Sequence, residues 1–310
     1  MENVVIVGSG CAGATAAVYT ARAMLAPLVL VGDDGGGQLA LTTLVENYPG
    51  FADGIQGPEL MEAMRRQAER FGARFLGGRL ADVALRPGGP HRLTLAAGSA
   101  VEVRAVIIAT GARPRWLDLP SERALRNKGV SACATCDGAL YRNVPVAVVG
   151  GGDTALEEAL FLTRFASKVT VIHRRHEFRA SKIMRERALA HPKIEVAWDT
   201  VVEEVLDVAK DEVTGVVLHN LRTAARTVLP VTGLFVAIGH TPNTEVFRGK
   251  VEMDEAGYVV LRDGGRSHTS VDGVFVAGDC ADHVYRQAVT AAGMGCRAAI
   301  DAERWLSERG

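Results

Sequence analysis

With 310 residues, 48% of them apolar and 23% charged, the chain has the composition of a folded protein of two domains, not of a disordered or fibrous one. A formal net charge of −1 without a clustered basic excess argues against a nucleic-acid binder, and no apolar run approaches the roughly 20 residues of a membrane span. Five cysteines, an odd and scattered set, do not make the framework of a small secreted domain. The glycine turn that begins at Gly8 leaves no room for a signal peptide, so a cytoplasmic protein is expected.

The first predicted element is VVIVGSGCAGATAA (4–17), a β-branched run, a glycine turn and a small-residue helix. This is the strand–turn–helix of a dinucleotide site. Gly8 permits the tight turn, Gly10 lets the backbone approach a pyrophosphate, and Gly13 lets the helix sit close on the strand. The helix N-terminus then offers free N–H groups and a partial positive charge to phosphate. A second β run, LVLVG (28–32), follows at the spacing of a right-handed βαβ crossover. It ends in Gly32, Asp33 and Asp34 with no basic cluster, which disfavours NADP. The polar, glycine-rich loop GGGQLALTTLVENYPG (35–50) comes next, then HRLTLAA (91–97) with β alternation and the buried-type strand AVIIATGARP (105–114).

Residues 129–143, GVSACATCDGALYRN, place Cys133 and Cys136 two residues apart with Asp137 directly after. Such a pair is a redox disulfide, half of a metal site, or an accident. The other cysteines form no second pair to complete a zinc site.

The chain then repeats itself. VAVVGGGDTALEEA (146–159) copies the first fingerprint, with Gly150, Gly152 and Ala155 in the three small positions and Asp153 and Thr154 opening its helix. VTVIH (169–173) copies the second strand, VTGVVLHN (213–220) the β insertion, and GLFVAIGHTPN (233–243) the strand at 105–114. Where the second strand ends, the residues are His173, Arg174 and Arg175, with Arg179 a turn later. An acid there binds ribose hydroxyls, whereas guanidiniums accept a 2′-phosphate, so this site selects NADP. After residue 243 the chain supplies one more strand, DGVFVAGDCAD (272–282), and a helical pattern from Tyr285 to Leu306. Asp279 stands at that strand's end, on the same sheet edge as the first fingerprint, and a ligand long enough to meet all of these suits FAD better than NAD. The extra strand needs a sheet, and the first unit is its natural host. The expected fold class is therefore α/β, with two Rossmann-like dinucleotide-binding domains. An NADPH domain at 115–243 is inserted within an FAD domain made of 1–114 and 244–310, with turn-rich linkers at both joins. Beside a flavin and NADPH, the dithiol pair has an evident use: it carries two electrons to a disulfide elsewhere.

The motifs SACATCDG, HRRxxFRA, GGQL, VENYPGF, ATGARP, FVAIGHTPN, VFVAGDCADHVYRQA and AAGMGC run in order through nearly the whole chain. Together they resemble the low-molecular-weight NADPH–thioredoxin reductases of bacteria. The resemblance implies a homodimer with one FAD and one redox disulfide, Cys133–Cys136, per subunit, acting on thioredoxin. It implies that Cys136 is the thiol nearest the flavin and the one that engages thioredoxin, that Cys133 resolves, and that Asp137 is the acid. It also puts Gly8, Gly10, Gly13, Gln38, Asn47, Asp279, Arg286, Gln287 and Ala288 at FAD, and Arg174, Arg175 and Arg179 at the 2′-phosphate. Two positions depart from the family. Cys11 replaces a common proline at the start of the phosphate-binding helix, and Ala139-Leu140 replaces the large aromatics that often follow the cysteine motif. A reductase of another dithiol carrier, and a nucleotide-binding redox sensor that does not turn over, are the rival readings.

Overall fold

The computed structural model describes residues 1–32, 35–262, 264 and 266–310. The chain forms two compact units: Met1–Arg113 with Thr241–Gly310, and Pro114–His240.

In the first unit a seven-stranded sheet runs in the order Arg74–Leu76, Leu28–Leu30, Glu2–Val7, Ala100–Ile108, His91–Leu95, Leu80–Ala84, with Val274–Val276 added to Ala100–Ile108. The nine-residue strand Ala100–Ile108 has three partners, with Glu2–Val7 parallel along one edge and two strands sharing the other. Its outer half pairs antiparallel with His91–Leu95, in the register His91 opposite Val103, while Val106–Ile108 pair in parallel with Val274–Val276. Glu2–Val7 is parallel to both of its neighbours, and its Val4 to Val7 are buried on both faces. That is why this stretch is uniformly apolar and not alternating. Val4 and Ile6 point toward the helices Cys11–Arg22 and Ala288–Ser307, whereas Val5 and Val7 join Leu93, Phe247 and Val259 on the other face. The two helices touch closely because both are lined with small residues; a Cβ at Gly295 would lie 2.1 Å from the Ala12 carbonyl oxygen.

The predicted terminal helix from Tyr285 begins at Ala288 instead. Arg286 takes a left-handed conformation (φ 47°), and Gln287 and Thr290 form a capping box that starts the helix there. No helix among the described residues is long and apolar enough to cross a membrane.

In the second unit the sheet order is Val130–Ser131, Gly233–Val236, Pro145–Val149, Lys168–Ile172, Ile194–Ala197, every pair parallel. The helix Asp153–Leu162 covers one face through Leu156, Ala159 and Leu162. The other face meets a separate three-stranded antiparallel sheet, Thr200–Val205, Val216–Asn220 and Arg226–Leu229, through Val202, Val216 and Leu218. The two β insertions predicted to be alike therefore differ. The one in the first unit extends the main sheet, and the one in the second packs across it.

Candidate active site

The first phosphate-type turn follows the strand Glu2–Val7. A Cβ at Gly8 would lie 2.2 Å from the Ala109 carbonyl oxygen, and one at Gly13 would lie 1.9 Å from that of Gly8. Both positions therefore admit only glycine without backbone movement. At Gly10, the N-cap, a Cβ would meet nothing nearer than 3.8 Å. The first turn of the helix has no side-chain cap and no acid. Its N–H groups thus have no side-chain acceptor and no competing carboxylate, which suits an anion. Ser9 fastens the neighbouring loop there, its Oγ accepting from the Gly36 N–H at 3.1 Å and donating to the Val31 carbonyl at 3.4 Å. That contact brings the short helix Gly37–Ala40, with Gln38, to the turn. Asp33 and Asp34 lie outside the described residues.

Asn47 reaches across to Gln287, with Nδ2 donating to Oε1 at 3.3 Å, beside Arg286 and Ala288 at the start of the closing helix. Asp279 follows the strand Val274–Val276. Its Oδ1 is buried and has no hydrogen-bond partner among the described residues. Burial, then the nearby Asp282, push its carboxyl up to about 6, with Arg286 opposing. A buried acceptor without a donor is costly unless a ligand supplies one. A sugar-alcohol hydroxyl of a flavin dinucleotide would do so, and with the open helix N-terminus this fits FAD. Cys11 is buried with Sγ 3.2 Å from the Ala288 carbonyl oxygen, and burial pushes its thiol up to about 11, so it stays protonated and inert.

In the second unit the same turn recurs with different packing. A Cβ at Gly150 would lie 2.5 Å from both the Ala155 Cβ and the Ala237 carbonyl oxygen, whereas one at Gly152 would meet nothing within 4 Å. The open side is again the N-terminus of the helix, which begins at Asp153 and Thr154. Asp153 does not turn its charge toward that opening. Its Oδ1 accepts from the Ser181 N–H at 2.9 Å and hydroxyl at 2.6 Å, bonds that hold its carboxyl below the usual carboxylate range. The N–H groups of Arg179 and Ala180 both donate to the Gly151 carbonyl, at 2.8 and 3.1 Å. These bonds hold the exposed loop of Arg174, Arg175 and Arg179 against the glycine turn. The three guanidiniums have no ion pair among the described residues, so they remain available to a phosphate group. His173 sits behind them, buried, with its ring turned inward to backbone carbonyls and not outward to solvent.

The same unit holds the thiols. Cys133 and Cys136 are joined in a disulfide with their Cα atoms 5.3 Å apart. Cys133 caps the short helix Ala134–Asp137, its Sγ accepting from the Cys136 N–H at 3.2 Å. Cys136 is exposed and Cys133 half-buried. Ser131 Oγ donates to Asp137 Oδ2 at 2.5 Å and accepts from the Cys133 N–H at 3.0 Å, tying the acid to the first cysteine. Burial raises the Asp137 carboxyl, and the Ser131 bond partly offsets that rise. Tyr141, packed edge-on against Phe235, closes the site; burial and then Asp137 push its phenol up to about 12. Leu140 stands out into solvent at 66% exposure beside Ala139. Sequence reasoning missed Ser131, Tyr141, Gly151 and Ser181. Ser131, Tyr141 and Gly151 stand inside the quoted stretches, but their roles, like that of Ser181, rest on contacts with partners 6 to 94 positions away that those stretches do not name.

A family model for pyridine nucleotide-disulphide oxidoreductases matches residues 2–295. The thioredoxin reductase of Mycolicibacterium smegmatis is 54% identical over 310 residues, 100% of this chain and 98% of that protein. A bifunctional thioredoxin reductase/thioredoxin of Mycobacterium leprae is 53% identical over 309 residues, 99% of this chain and 66% of its own length. Among solved structures, thioredoxin reductase from Giardia duodenalis matches with a TM-score of 0.93 at 44% identity, covering 98% of each chain. A chain with these end-to-end likenesses belongs to the pyridine nucleotide-disulphide oxidoreductase family, among the thioredoxin reductases.

Proposed function

We propose that this protein is an NADPH-dependent flavoprotein reductase that passes two electrons through the Cys133–Cys136 disulfide to oxidised thioredoxin. The observation that carries the reading is a disulfide, with a half-buried acid tied to it, in the same unit as a glycine turn and a loop of arginines without an ion pair among the described residues. Residues 1–114 with 244–310 hold FAD: Gly8, Gly10 and Gly13 receive the pyrophosphate, and Gln38, Asn47, Asp279, Arg286, Gln287 and Ala288 receive the remainder. Residues 115–243 hold NADPH: Gly150, Gly152, Asp153 and Thr154 form the turn, Arg174, Arg175 and Arg179 grip the 2′-phosphate, and His173 supports them. Bound in its unit, FAD supplies the two-electron chemistry that connects a nicotinamide hydride to a disulfide.

The chain's own groups do the rest. Opening the Cys133–Cys136 bond takes two electrons and leaves a sulfur that needs a proton. Asp137, raised by burial, holds that proton, and Ser131 occupies Oδ2 so that Oδ1 delivers it. The exposed Cys136 then attacks the thioredoxin disulfide as a thiolate, forming a mixed disulfide and expelling one thioredoxin thiolate. Cys133 attacks Cys136 Sγ in turn, which restores the intramolecular disulfide and releases the second thiol. The sum is NADPH, one proton and a disulfide converted to NADP⁺ and a dithiol.

The fused thioredoxin of the Mycobacterium leprae relative supports thioredoxin as the carrier. On the resemblance of its motifs, the working form is a homodimer in the cytoplasm, and light scattering should return about twice 32.9 kDa. The deciding experiment is NADPH oxidation by the pure, yellow protein with a panel of oxidised carriers. Sustained turnover with thioredoxin is expected. A single reduction without cycling would indicate a sensor, and turnover with a different carrier alone would overturn the choice of partner.

A further inference from the structure

His173 joins the two segments that would face a nucleotide in the second unit, and its surroundings pose a proton problem. Its Nδ1 lies 2.9 Å from the Gly150 carbonyl oxygen, in the phosphate turn, and its Nε2 lies 3.0 Å from that of Glu177, in the arginine loop. Both partners are carbonyl oxygens, which only accept. A neutral imidazole has one N–H and one bare lone pair, so it can satisfy one of the two; an imidazolium donates to both. The ring cannot turn away. It is 6% exposed, flanked by Phe178 and Trp198 at centroid distances of 5.2 and 6.1 Å, and it lies so close over Gly151 that a Cβ there would be 2.2 Å from it. Gly151 is thus glycine for the histidine's sake, while Gly150 and Gly152 serve the turn.

Opposing the second hydrogen bond are burial and the charges of Arg175 and Arg179, which together hold the imidazole below its ordinary value. The carboxylates on the surrounding elements are otherwise engaged: Asp153 with Ser181, Glu177 with Arg185, and Asp199 with Arg222. The charge that would tip this balance is one brought to the arginines from outside.

We infer that His173 is a positioning residue whose protonation is linked to the binding of a nucleotide 2′-phosphate. Once a phosphate dianion neutralises the arginines, the ring takes up a proton and donates to both Gly150 and Glu177, a clasp that fastens the glycine turn to the arginine loop that already lies against it. This rests on the reading of Arg174, Arg175 and Arg179 as the 2′-phosphate site. A histidine whose pKa is higher in the complex than in the free protein strengthens binding fully below its free value, and that gain is lost as pH rises through its bound value. Each pKa unit of difference corresponds to up to about tenfold in affinity. NAD⁺, lacking the phosphate, should show no such dependence.

The test is ring-¹⁵N NMR on the flavin-loaded protein labelled at histidine, titrated free, with NADP⁺ and with NAD⁺. His173→Gln identifies the resonance by its loss. With NADP⁺ both ring nitrogens of His173 should be protonated at a pH where, free or with NAD⁺, one is bare. Calorimetry in two buffers of different ionisation enthalpy provides the second measurement. The wild type should take up more protons on binding NADP⁺ than His173→Gln does, and the difference removes the titration of the phosphate itself. If NADP⁺ binds better than NAD⁺ but His173 stays neutral in both complexes, or the proton uptake persists in His173→Gln, the clasp is wrong and the arginine reading stands. If the two nucleotides bind equally, the arginine reading fails and the clasp with it.

Discussion

Replacing Arg174 and Arg175 together by glutamine tests the cofactor assignment most directly. Both side chains are exposed, and among the described residues neither makes an ion pair, so their removal leaves no buried carboxylate without a partner. Exposed substitutions of this kind change stability by about 0.5 kcal/mol or less. Toward a phosphate dianion the arithmetic differs. A hydrogen bond to a charged group contributes about 1.5–3 kcal/mol, so two such bonds give about 3–6 kcal/mol if they add. At about 1.4 kcal/mol per decade this is roughly two to four decades of affinity. Because water screens exposed charges, the lower half of that range applies, roughly a hundredfold to a thousandfold. Kd values for NADP⁺ and NAD⁺ would be measured by fluorescence quenching at low and at moderate salt, with Tm recorded alongside. The expected result is a large loss for NADP⁺, smaller at high salt, with NAD⁺ and Tm nearly unchanged. Equal losses for both nucleotides, or a fall in Tm of many degrees, would refute the reasoning and make the arginines supports of the fold.

Three further outcomes follow from the thiol site and the first turn. Cys133→Ser should trap a stable mixed disulfide with a thioredoxin lacking its own resolving cysteine, and Cys136→Ser should not; trapping by Cys136→Ser alone, read on a non-reducing gel, would exchange the two roles. Ser131→Ala removes the bond that lowers the Asp137 carboxyl, so the alkaline limb of thioredoxin turnover, which needs the protonated acid, should move to higher pH; an unmoved limb in a folded variant would separate Asp137 from the proton step. Asp279 has a folded-state value raised from 3.8 to about 6, so flavin-free protein should lose stability as pH rises across that interval and change little above it. Asp279→Asn should flatten this slope in urea unfolding and weaken FAD retention, and an unchanged slope would falsify the burial argument.

Much of this protein is written in short stretches of its chain. The two strand–turn–helix units were legible because what a glycine turn requires is local. Gly8 turns the chain at φ 113°, and a Cβ at Gly13 would lie 1.9 Å from the Gly8 carbonyl oxygen five positions back, while the flanking runs are apolar because parallel strands are covered on both faces. The cysteine pair, the acid after it and the basic loop after the second strand are likewise contiguous, so their chemistry could be named without coordinates. What the chain could not state by itself is which distant segments become neighbours. Gly233–Val236 enters the sheet between Val130–Ser131 and Pro145–Val149, and the two similar β insertions take different places. Those pairings put Ser131 on Asp137, the Asp153 carboxylate on Ser181, and the His173 ring between the Gly150 and Glu177 carbonyls over Gly151. Each is a directional contact a few ångströms long between residues 4 to 28 positions apart. Hydrogen bonding demands that buried polar groups find partners, but it does not dictate from sequence which partner the packed sheets will deliver.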